Sequence, residues 1–112
     1  MERYRLERGG ELLGFVTRGE WDGFQGSWHD WGWLEPAPDS DAVIELLAGE
    51  CRLHDEAVRL ELAGGDPADL LREAERLQAE FMEPGVTLVS LADGARLKLD
   101  EMHFDAGRVY WR

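Results

Sequence analysis

Apolar and polar positions alternate with a period of two toward both ends of the chain and recur at helical spacing through its middle. Tyr4-Arg5-Leu6-Glu7 carries the pattern of a half-buried strand, Arg8-Gly9-Gly10 reads as a turn, and Glu11 to Thr17 resumes as a second strand, which predicts a hairpin. Gly19, Gly23 and Gly26 disfavour helix in the next segment, so a loop is expected to lead into a third strand at about residues 28–35, stopped by Pro36 and Pro38. Val43, Ile44, Leu46, Leu47, Glu50, Leu53 and Ala57 then recur near helical spacing. They predict a helix from about 40 to 56, weakened at Gly49, with Asp39 or Ser40 accepting hydrogen bonds from its first free amides. Val58 to Leu62 fits either a short strand or an extension of that helix.

Gly64-Gly65 breaks the chain, Asp66 is placed to cap, and Pro67 suits a first helical turn, where its missing N–H costs nothing. Asp69 adds negative charge at the positive end of the helix dipole. The buried stripe of this second helix is expected at Leu70, Ala74, Leu77 and Phe81, with Leu71 at its edge, and Glu83-Pro84-Gly85 ends it. Val86 to Leu91 reads as a strand, Ala92-Asp93-Gly94 as a turn, Ala95 to Phe104 as a longer strand, and Val109-Tyr110-Trp111 as the last. The order is three strands, two helices, three strands. Layer rules make this one α+β domain over residues 1–112, an antiparallel sheet of about six strands with two acidic helices packed on one face.

Some strands are apolar on both faces, which a two-layer domain with a wet outer face does not require. Leu13 and Phe15 are expected to oppose Leu12 and Val16, and Val86 and Leu88 to oppose Val89 and Leu91. Trp31 and Trp33 share a face opposite Leu34. Leu97 and Leu99 fall out of phase with Met102 and Phe104 unless the strand bends near Asp100-Glu101.

Charge sharpens this layout. Twenty-four acids against twelve bases give a net charge of −12. Residues 1–34 hold six acids and four bases, 35–83 fourteen and four, and 84–112 four and four, so the excess lies in the helical segment. An acidic chain is a poor match for a phosphate backbone, and nucleic acid is not expected as a partner. No run approaches the ~18 to 20 apolar residues that span a bilayer, and the start MERYRLERGG lacks the apolar stretch of a secretory signal. The single Cys51 leaves no internal disulfide. A cytoplasmic protein without membrane contact is the expectation.

Candidate chemistry is sparse. Cys51 and His54 lie three apart, on one helix face, but that spacing supplies no oxyanion hole. Zinc would require Cys51, His54, His29 and His103 to converge from separate elements. His103 reads as a hydrogen-bonded sheet residue with carboxylate neighbours, and no phosphate-binding glycine motif or cofactor is expected. The stretch WDGFQGSWHDWGWLEP remains, with four of the five tryptophans. Its rings either fill a core beneath glycines or anchor a partner, since tryptophan is enriched at binding hot spots. The expectation is a non-enzymatic interaction protein, of inhibitor or immunity type, that self-associates as a homodimer or docks a protein through Trp28, Trp31 and Trp33. A basic partner would be steered by Glu45, Asp55, Glu56, Asp69, Glu73 and Glu80. The alternative is a small-ligand site or enzyme pocket lined by Trp21, His29 and Asp30, with Trp28 and Trp31 beside them.

Overall fold

The computed structural model describes residues 2–20 and 30–112. Along the chain run β1 (Arg3–Arg8), β2 (Glu11–Arg18), β3 (Asp30–Pro36), α1 (Asp41–Leu62), α2 (Ala68–Met82), β4 (Val86–Ser90), β5 (Arg96–Lys98), β6 (Met102–Asp105) and β7 (Arg108–Trp111). The fold is α+β, as the pattern predicts. Among the described residues the strands number seven rather than six, because the segment 95–104 is two strands. They form one sheet in the order β5-β4-β1-β2-β3-β7-β6, each pair antiparallel. Gly9 and Gly10, at φ 57° and 86°, make the two-residue turn between β1 and β2, a backbone that side chains with a Cβ resist.

That split fixes the shape of the sheet. β5 and β6 are its opposite edges, and a flat sheet of seven strands would hold them about 29 Å apart. The segment from Lys98 to Met102 reaches at most about 14 Å. The sheet therefore curls until its edges nearly meet. At the seam the Leu99 amide donates to the Val86 carbonyl at 2.9 Å, while the next amide, Asp100, donates to the Arg112 carbonyl at 2.8 Å. Tyr4 of β1 and Trp111 of β7, three places apart in strand order, meet edge to face across the interior at 6.4 Å. The bend expected near Asp100-Glu101 exists, and it joins two edges instead of kinking one strand.

A bulge in β2 corrects the expected facing of its side chains. Leu6 pairs with Gly14 but Glu7 pairs with Leu12, so Leu13 is an extra residue. It turns inward and is buried together with Val16, whereas Leu12 is left on the outer surface. Gly14 is required at this point, since a Cβ there would lie 2.4 Å from the Glu35 carbonyl oxygen. In β3 the expected facing holds: Leu34 packs against the core while Trp33 points out.

α1 runs on through residues 57–62, which settles that ambiguity as helix. Its first turn differs from expectation in detail. Ser40 is the capping residue, but its hydroxyl donates to the Ala37 carbonyl at 2.7 Å instead of accepting from a helix amide. Asp66 does accept, from the Ala68 amide at 3.0 Å, at the start of α2. Ala74 and Phe81 of α2 are buried and Leu70 and Leu77 half-buried, while Leu71 stays out, as the stripe predicts. Gly49, a weak point by propensity, lets the helices approach: a Cβ there would sit 3.2 Å from the Leu77 side chain. The core joins Leu47 and Phe81 of the helices to Leu6, Leu13, Val16, Val86, Leu88, Leu99, Met102, Val109 and Trp111 of the curled sheet. Among the described residues no helix is long and apolar enough to cross a membrane.

Candidate protein-docking face

Because side chains alternate along each strand, register defines what the outer face of the sheet presents. One row reads Arg96, Val89, Arg5, Phe15, Glu35. The next reads Arg3, Thr17, Trp33, Arg108, Asp105, and Trp31 lies across from Tyr110 beyond it. Trp33 is 52% exposed, the most open tryptophan among the described residues. Its indole meets that of Trp31 edge to face at 5.7 Å, and the Arg108 guanidinium lies over its ring, 5.6 Å from the centroid. Trp31 is itself fixed: its ring lies where a Cβ on Gly19 would be, at 2.3 Å, and its carbonyl accepts from the Gly19 amide at 2.9 Å. Glycine does make room for indole here, as one reading of the sequence has it. The result is a held aromatic pair with one ring facing water.

This outer face is basic in a strongly acidic chain. Arg3, Arg5, Arg96, Lys98 and Arg108 stand on it against Glu7, Glu35 and Asp105. Several bases are paired, Arg3 to Glu35 at 3.3 Å and both Arg5 and Arg96 to Glu7 at 3.5 and 3.1 Å. Lys98 and Arg108 have no ion-pair partner among the described residues. The helices, by contrast, carry ten acids and four bases.

The sequence-predicted site residues are not all brought together. Trp21, Trp28 and His29 lie outside the described residues, so of the contact set Trp31 and Trp33 are placed, side by side. Asp30, expected in a ligand pocket, instead binds Arg18 at 2.9 Å, and Arg18 also holds Glu2 at 3.0 Å. That carboxylate ties the start of β3 to the end of β2.

A second cluster emerges where the helices meet the β6 edge. Glu50, 2% exposed, accepts from the Gln78 side-chain amide at 2.7 Å and lies 2.7 Å from His103 Nδ1. The other ring nitrogen faces Glu101, which also holds Arg112 at 2.7 Å. The Gln78 amide pairs with the backbone of Met102 in both senses, donating to its carbonyl at 2.5 Å and accepting from its N–H at 3.1 Å. Gln78 thus acts as one residue of a further strand and closes an edge that would otherwise invite pairing. The Glu50 hydrogen bond, helped by Glu101, pushes the His103 pKa up to about 9 against the opposing effect of burial. A cavity of about 330 Å³ opens beside this cluster, lined by Glu50, His54, Glu75, Gln78, Ala79, Glu101 and His103.

With both ring nitrogens on carboxylates, His103 is suited to hold structure rather than to accept a proton from a substrate. Cys51 is half-buried, and burial, with Asp105, Asp55 and Glu50 nearby, raises its thiol pKa, the opposite of what a nucleophile requires. Among the described residues no group of three His, Cys, Asp or Glu side chains could hold a metal ion. Sequence reasoning missed Glu50, Gln78 and Arg108. For Glu50 a signal existed, an acid inside the apolar repeat of α1; Gln78 and Arg108 gain their roles from partners that only the fold supplies. Comparison of the chain with protein-family models, with curated proteins and with solved structures gives no match.

Proposed function

We propose that this chain is a cytoplasmic protein-docking domain that acts through the outer face of its sheet, with Trp31, Trp33 and Arg108 as the contact centre, in the manner of a small inhibitor or immunity protein. The observation that carries the reading is Trp33, half exposed yet pre-ordered by an indole on one side and a guanidinium on the other. A rigid aromatic with a cation on its ring loses little side-chain freedom on binding, which is the profile of an interface anchor. The ligand-pocket alternative draws no comparable support, since Asp30 spends its carboxylate on Arg18.

The test is site-specific photo-crosslinking in the cells that make the protein. A benzophenone side chain at position 33 is expected to capture a protein chain, and one at exposed position 83 is not. Mass spectrometry then tells whether the captured chain is a second copy or another protein. No product from position 33 beyond that from position 83 would remove the docking reading.

A further inference from the structure

The molecule presents a second exposed apolar surface, and its charge is opposite to that of the first. Val58 is 56% exposed and Leu62 84% exposed, one turn apart near the end of α1. Asp55 precedes Val58 by one turn and Glu61 adjoins Leu62, so the two aliphatic side chains form a ridge bordered by two carboxylates, with the single cation Arg59 on its other flank. Asp55, Glu56 and Glu61 have no ion-pair partner among the described residues. Leucine that open on a helix neither fills the core nor solvates well, and it is the kind of group that a partner covers. The outer sheet face has the complementary make-up, an open indole with the guanidinium of Arg108 over its ring, and Arg108 has no ion-pair partner among the described residues.

We infer that the occupant of the Trp33 face is a second copy of this chain, docked head to tail, with the Val58–Leu62 ridge of one protomer seated on Trp31 and Trp33 of the next and Asp55 and Glu61 set about Arg108. This rests on the docking reading above and adds the partner to it. Charge complementarity selects the arrangement. Two copies meeting sheet face to sheet face would oppose cation to cation, and ridge to ridge would oppose carboxylate to carboxylate, whereas ridge to face pairs unlike charges. An interface between two different patches is heterologous. It grows into a ring or an open chain rather than stopping at a two-fold dimer.

Blocked variants test this directly. Trp33→Glu disables the face and leaves the ridge, and Val58→Lys with Leu62→Lys disables the ridge and leaves the face. Light scattering and sedimentation should show wild-type mass rising with concentration above 12.7 kDa. Each blocked variant alone should remain monomeric, and their equimolar mixture should form a one-to-one heterodimer. Raising salt from about 0.1 M to about 1 M cuts the screening length from about 10 Å to about 3 Å and should weaken that heterodimer about tenfold. Circular dichroism checks folding, and if Trp33→Glu unfolds, Arg108→Glu replaces it with the same two outcomes.

A wild type that stays monomeric at millimolar concentration overturns the head-to-tail contact, and so does association of wild type without association of the blocked pair. Either result leaves docking of another protein to be decided by the crosslinks from position 33. Quenching of tryptophan fluorescence by a short single-stranded oligonucleotide, abolished in Trp33→Glu, would assign the aromatic and basic face to nucleic acid and also overturn it.

Discussion

The Glu50–His103–Glu101 cluster makes stability depend on pH over a defined window. His103 is held from α1 by Glu50 and from its own segment by Glu101; Gln78 of α2 shares Glu50, Arg112 shares Glu101, and His54 and Glu75 line the adjoining cavity. The folded chain keeps the imidazole protonated up to about 9, against an ordinary value of 6.5. A raised pKa means that the folded state binds the proton more tightly than the unfolded state. The stabilisation is complete below about 6.5 and is lost as pH climbs through about 9. The full gap between those values would correspond to about 3 kcal/mol. With 32% of the side chain exposed, screening by water brings the expected contribution to about 1–2 kcal/mol. The assay is urea denaturation followed by circular dichroism from about pH 6 to about pH 9.5, comparing the parent with His103→Gln. Both proteins carry Cys51→Ala, because the raised Cys51 thiol would add loss of the same sign near its ordinary value of 9.0. The parent should lose about 1–2 kcal/mol over this range and His103→Gln much less. Parallel curves for the two proteins would mean that the imidazole is not held charged by the fold.

Other consequences are more local. Gln78→Ala removes the side chain that pairs with both backbone groups of Met102, and hydrogen exchange should show the Met102 amide opening about 1–2 kcal/mol more easily, while the amides of β1 and β2 keep their protection. Gly14→Ala drives a Cβ to 2.4 Å from the Glu35 carbonyl and should cost about 3 kcal/mol in a denaturant titration, because the clash is with backbone and has no side chain to yield. Phe81→Ala, at a fully buried ring shared by helices and sheet, should cost about 3–5 kcal/mol. Leu62→Lys, at an 84% exposed position, should change monomer stability by less than about 0.5 kcal/mol.

Local signals sufficed for the order of elements, since each depends on neighbours in the chain. The Asp66–Pro67 start of α2, the Gly9–Gly10 turn and the stripe ending in Phe81 are all legible because capping, positive φ and helical period are properties of a few consecutive residues. The outward pair Trp31 and Trp33 is equally local, as strand period alone puts them on one face. The acidic helical segment could be read by counting. Facing and closure could not. Leu12 and Leu13 exchange sides because of a bulge that depends on pairing with β1. Residues 95–104 divide because their two halves join opposite edges of a curled sheet, a result of long-range pairing that no local period records. The basic character of the outer face is of the same kind: Arg3, Arg5, Arg96, Lys98 and Arg108 are scattered over the sequence, and only register collects them on one side. Composition makes the chain acidic as a whole, whereas tertiary structure separates the charge into an acidic helical layer and a basic aromatic surface. Electrostatic fields follow distance in space, not position along the chain.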